Sequence, residues 1–189
     1  MSDKEDGIIY IEALENVLSG QGKTFKFVLS GGEPFYARNL VEACRMITKK
    51  HFVGIISNMT HDNVRSFAGT IDPSRVPFIS AAAHIRQLAM RGLFDQFVSN
   101  CVLYKEKKFR IMVFTVAYPD LVGTIDSHRQ IFAKYGLELT FKPFYGTWKK
   151  KTYPGSLYGG RNPVIRTGLL SLYQNEYLLA KAAAVQRGI

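Results

Sequence analysis

Apolar and polar positions along this chain repeat in one order: a short run of β-branched and aromatic residues, a polar turn, then a segment with apolar positions three and four apart. The runs predict strands over 25–29, 52–57, 76–80, 109–116 and 137–141. Each is apolar at successive positions, as strands buried on both faces of a parallel sheet are. Between the first two, Leu40, Val41, Cys44 and Ile47 form an apolar helical face, and Asn39 with Glu42 three residues on has the spacing of a capping box. Further helices are expected over 8–18, 63–68 and 93–107. Ile125, His128, Phe132 and Tyr135 follow at helical spacing before Gly136, a natural helix stop. The order αβαβαβαβαβ predicts an α/β fold. Right-handed crossovers would make it a parallel sheet or open barrel, with binding chemistry at the carboxyl ends of the strands.

The pattern breaks after Phe144. Gly146, Trp148, Lys149, Lys150, Lys151, Pro154, Gly155, Gly159, Gly160 and Pro163 predict an irregular basic loop over 147–168. A last helix over 169–186 carries Leu170, Tyr173, Tyr177, Ala180 and Ala184 on one stripe, suited to packing on the domain. The organisation expected is a core over 1–146, that loop, and a C-terminal helical segment over 169–189.

Length and charge narrow the class. A chain of 189 residues suits one domain, and 47% hydrophobic residues are enough to give it a core. The net charge of +10 permits an anionic partner or simply a soluble basic surface. Two cysteines, Cys44 and Cys101, are too few for a disulfide framework or a four-thiolate metal site. No leader pattern opens the chain, and no uncharged apolar stretch reaches the ~20 residues of a membrane span. The expectation is a cytoplasmic protein with no membrane partner, in which the sequon at Asn58, Met59 and Thr60 has no glycan to accept.

Among the motifs, Gly20, Gly22, Lys23 and Thr24 have part of a phosphate-loop spelling. A strand follows them where that mechanism needs a helix N-terminus, so they mark a turn. The informative corner is Ser30, Gly31, Gly32, Glu33 and Pro34, at the end of the first strand. Two glycines let the backbone turn sharply and approach a ligand, Glu33 supplies a carboxylate, and Pro34 stops the strand. Acceptors gathered this way suit an ammonium group.

This strand-end sequence resembles the motif with which the radical S-adenosylmethionine (radical SAM) superfamily holds the amino group of its cofactor. The stretch from Ile55 to Thr60 is similar to that family's next strand end, Ile79 to His84 to the one after, and Lys142 to Gly146 with Tyr153 and Pro154 to a segment beyond the barrel. The resemblance implies a partial (β/α)6 TIM-like barrel of parallel strands that binds S-adenosylmethionine. On it, Gly31, Gly32 and Glu33, with Ser30 beside them, take the amino group. Ser57, Asn58 and Ser80 offer hydroxyl and amide groups to the carboxylate or ribose, or serve as structural caps of the turns at the strand ends. His84 is a substrate-side polar candidate or a structural hydrogen-bonder, while His51, His61 and His128 show no ligand spacing.

In the family a [4Fe-4S] cluster is held by Cys-x3-Cys-x2-Cys on the loop after the first strand and drives radical chemistry. Here that triplet is absent, and so is the first strand. Cys44 and Cys101 read as core thiols, so no metal ligand and no catalytic residue is assigned. The expectation is a truncated or degenerate core domain, inactive alone, its substrate an unspecified small molecule or peptide, with a partner chain as one source of the cluster loop. The alternative is a non-catalytic binding or scaffold module. Tyr145, Trp148, Tyr153 and Lys149 to Lys151 supply stacking faces beside cations, but one short run lacks the extended patch of a nucleic-acid face and reads better as a solvated lid.

Overall fold

The structure is a computed structural model, and it describes residues 22–153 together with Ala13, Asn16 and Val17. The helices expected over 8–18 and 169–186, and the loop beyond 153, lie outside the described residues apart from those three positions.

The described elements run β1 (Lys26–Leu29), α1 (Leu40–Ile47), β2 (Phe52–Ser57), α2 (Asn63–Thr70), β3 (Ile79–Ala82), α3 (Ile85–Met90), α4 (Phe94–Glu106), β4 (Ile111–Ala117), α5 (Ile125–Ala133), β5 (Leu139–Pro143), β6 (Gly146–Trp148) and β7 (Lys151–Tyr153). The chain divides into two units. Among the described residues, one gathers those up to Thr115 with His128–Thr140, and the other Val116–Ser127 with Phe141–Tyr153.

Five strands form one sheet in the order β1-β2-β3-β4-β5, and it is a parallel sheet. The pairing runs Leu29 with Ile55, Ile55 with Ile79, and Ile79 with Ile111. Sequential parallel order, with the right-handed crossovers that such units favour, is the winding of a barrel rather than of a doubly wound sheet. Burial agrees. Val53, Ile55, Ser57, Ile79, Ala81 and Val113 share the helix-covered face and are all buried. On the other face Val28 is 47% and Met112 46% exposed. The sequence expectation of strands apolar and buried on both faces is therefore corrected for β1 and β4, whose residues alternate because only one face is covered.

That open face is shaped by one glycine. The Phe78 ring lies across Gly54, where a Cβ would stand 2.5 Å from it. Lys26 extends its ammonium over the same ring, 5.9 Å from the centroid.

The helices bury what their spacing predicts. α1 buries Leu40, Ala43, Cys44 and Ile47, and Thr48 closes it by donating its hydroxyl to the Cys44 carbonyl at 2.7 Å. Asn39 stands at the N-cap, but its side chain does not make the capping bond. Its backbone, at φ −102° and ψ 19°, is not in the extended conformation from which an N-cap side chain reaches the amides two and three residues on. α4 buries Phe97, Val98, Asn100, Cys101 and Tyr104. Phe67, Tyr104 and Phe109 then form an aromatic centre, with the Tyr104 and Phe109 rings 4.9 Å apart.

In the second unit, the start of the expected irregular loop is instead a hairpin, β6 against β7, turning through Lys149 and Lys150 at φ +46° and +63°. Trp148 packs there against Tyr118 and Phe144, so its ring is engaged within the unit.

Candidate functional site

The carboxyl ends of β1 and β2 are stitched together by Glu33. Pro34 stops the first strand, and the turn it opens sets the Glu33 side chain back toward the second. One carboxylate oxygen, Oε1, accepts the Ser57 hydroxyl at 2.7 Å and the Phe35 amide at 3.2 Å. The other, Oε2, accepts the Asn58 amide at 2.7 Å. Hydrogen bonds to an ionised acceptor are short and about twice as strong as neutral ones, so this is the firmest link between the two loops. A reciprocal bond runs back, as the Asn63 amide group donates to the Phe35 carbonyl at 3.0 Å. A carboxylate has about four lone-pair sites, so three bonds leave one of them for a ligand.

The β2–α2 loop is itself tightly specified. Ser57 accepts the Met59 amide at 2.8 Å, and Asn58 accepts both the amide and the hydroxyl of Thr60, at 3.0 and 2.7 Å. The residues of the sequon thus form an Asx turn. Met59 sits at φ +57° with its side chain fully buried. A left-handed conformation costs a non-glycine residue roughly 1–2 kcal/mol, so the neighbours must over-determine it. From the far side Asn100 of α4 donates its Nδ2 to the Met59 carbonyl at 2.8 Å. One turn later Tyr104 donates to the Val64 carbonyl, also at 2.8 Å.

A groove of about 480 Å³ lies along the β1 end, lined by Val28, Ser30, Gly31, Gly32, Glu33 and Tyr36 among others. Gly31 and Gly32 hold φ +90° and +51°, and a Cβ on either would meet nothing within 4 Å. The glycines thus open the groove and give it a backbone wall that no side chain obstructs. Tyr36, 63% exposed, stands at its rim with its ring edge-on to His61, 4.9 Å away.

Of the residues singled out from sequence, Ser30, Gly31, Gly32, Glu33, Ser57 and Asn58 come together at this corner. Ser80 does not join them. It is buried in β3 in register with Ile56 and Met112, while Ser57 pairs with Ala81, so the two serines face opposite sides of the sheet. His84 is exposed at the start of α3 and makes no side-chain cap. His51 accepts the Phe25 amide through Nδ1, and His61 the Asn63 amide. Met59, Asn63 and Asn100 were not foreseen as parts of the site. Asn100 had one signal, a polar residue on a stripe with Phe97, Cys101 and Tyr104.

The thiols are remote in chemistry from a metal site. Burial pushes both Cys44 and Cys101 up to about 12 from an ordinary 9.0, which keeps them protonated at neutral pH. Burial first, then the two thiols nearby, raises the Tyr104 phenol as well. Among the described residues no group of three or more His, Cys, Asp or Glu is placed to hold a metal ion, and no helix is long and apolar enough to cross a membrane.

No family model matches the chain. No curated protein matches it either. Solved structures do. The enzyme anSMEcpe, an anaerobic sulfatase-maturating enzyme of the radical SAM superfamily, superposes in its native form with AdoMet and a Kp18Cys peptide bound, at a TM-score of 0.56 and 17% identity. That match covers 76% of this chain and 45% of the other. The same enzyme with AdoMet alone gives 0.55 at 16% identity, covering 75% and 45%, and with a Cp18Cys peptide 0.54 at 18%, covering 76% and 45%. The chain therefore spans less than half the length of the proteins it superposes on. What it shares with them is the architecture: its described residues have the fold of a radical SAM core, in the form of a partial TIM-like barrel.

Proposed function

We propose that the groove beside residues 31–33 binds S-adenosylmethionine by its amino-acid end. The observation that carries this reading is the combination of two positive-φ glycines on an unobstructed groove wall with a carboxylate that keeps one lone-pair site after stitching the two loops. An ammonium needs several acceptors at once, and backbone carbonyls of the glycine turn with that lone pair are of the right kind. The Ser30 hydroxyl and the Asn58 side-chain amide stand beside them for the carboxylate or ribose, whereas the Ser57 hydroxyl is buried and already committed to Glu33 and the Met59 amide. The AdoMet-bound structures of anSMEcpe, with the same fold, support the choice of ligand.

The residues of this chain do not fit a [4Fe-4S] cluster. Its two cysteines lie on buried helical faces and are held as thiols, whereas cluster ligation takes thiolates. On this reading the chain supplies cofactor binding to a radical SAM-type enzyme, cluster cysteines come from outside these 189 residues, and the chain alone does not cleave the cofactor reductively.

Calorimetry with S-adenosylmethionine tests the binding. Saturable binding by the folded protein is expected, weakened at least about tenfold by Gly32→Val, since a β-branched residue at φ +51° must shift the turn. Absence of binding by folded protein refutes the reading.

A further inference from the structure

We infer that Asn100 is a positioning residue for the cofactor loop: from helix α4 it locks Met59 in its left-handed conformation, and through Met59 it fixes the Asn58 amide and Ser57 hydroxyl that hold Glu33. The inference rests on the proposed binding of S-adenosylmethionine and adds a part of the machinery that lies behind the loop.

The geometry forms one chain of hydrogen bonds. Asn100 Nδ2 donates to the Met59 carbonyl, the Met59 amide donates to Ser57 Oγ, the Ser57 hydroxyl donates to Glu33 Oε1, and the Asn58 amide donates to Glu33 Oε2. Each of these bonds is between 2.7 and 2.8 Å long. Met59 is the bent link, because among these hydrogen-bonded residues it alone holds a backbone angle that its residue type resists. Releasing its carbonyl removes the restraint on the far side of that bend.

Asn100 has an odd feature that points the same way. It is 1% exposed, and its Oδ1 has no hydrogen-bond partner. A buried amide with an orphaned acceptor is a poor packing choice, and leucine of similar volume would avoid the cost. What the amide contributes that leucine cannot is the donor to Met59.

Tyr104 provides the internal control. It lies on the same face of α4, is equally buried, and donates one hydrogen bond of the same length to α2 at Val64, past the loop. Asn100→Leu and Tyr104→Phe each remove one buried side-chain donor. With Asn100→Leu, amide hydrogen exchange at Asn58 and Met59 is expected to rise about tenfold relative to the rest of the domain, the factor that one hydrogen bond of ordinary strength supplies. S-Adenosylmethionine affinity should fall by a similar factor. Tyr104→Phe should leave both quantities at the wild-type level. Asn100→Ser, smaller and still polar, gives the same comparison if the leucine variant fails to fold. Unchanged exchange at Asn58 and Met59 in the Asn100 variants, or equal loosening by Tyr104→Phe, overturns the inference. Should wild-type protein bind no S-adenosylmethionine, the functional reading fails while the exchange comparison still decides the role of Asn100.

Discussion

At the scale of single residues, the candidate site is an economy of lone pairs and angles. Glu33 uses two hydrogen bonds to join two loops and a third, from the Phe35 amide, to fix its own turn, so the residue that a sequence reader would assign wholly to a ligand is first a structural clamp. The glycine corner was legible because Gly31, Gly32 and Pro34 act through backbone angles that residue type alone dictates. Asn100 was not, since its partner Met59 lies 41 residues away and no local rule connects them. The buried thiols give a prediction at this scale. Cys44 and Cys101 should resist thiol reagents in the native protein and react on unfolding. A thiol held at about 12 when folded and near 9.0 when unfolded favours folding below pH 9 and loses that contribution as pH climbs from 9 toward 12. The urea midpoint should fall across that window, and less steeply when both cysteines are replaced by alanine. A midpoint falling just as steeply without the thiols would contradict their assignment.

At the scale of elements, four of the five expected strands moved by a few residues and β2 ran over the expected 52–57, while α1, α2, α4 and α5 formed where apolar spacing placed them. The short helix α3 went unseen because six residues hold too few turns to show a period. The β6–β7 hairpin was hidden for another reason. Its turn takes Lys149 and Lys150 into positive φ, whereas the residues that announce such turns are asparagine, aspartate and glycine. Asn39 looked like a capping residue, but its backbone departs from the extended conformation that capping takes, which residue type alone does not reveal. The Gly54 contact is a prediction about strand packing. Gly54→Ala should cost about 1–3 kcal/mol by forcing the Phe78 ring off the sheet, with the loss read from the urea midpoint. Adding Phe78→Leu should recover much of it, and a Gly54→Ala variant as stable as wild type would show that the ring moves freely.

At the scale of the molecule, one sheet side is covered by helices and the other stands half open, with β1 at the sheet edge. Sequential parallel order could be argued from the αβ alternation, but which strands would keep an open face could not, because that depends on how far the barrel closes. The superposed enzymes are more than twice as long as the segment they share with this chain. The groove at the β1 end is where the proposed cofactor meets the part described here.

The most direct measurement is a titration of ¹⁵N-labelled protein with S-adenosylmethionine, followed amide by amide. The account predicts saturable shifts at Gly31, Gly32, Glu33, Ser57 and Asn58. Shifts confined to the separate hollow beside Arg65, Asp95 and Glu106 on the helical side, or none at all, would contradict it.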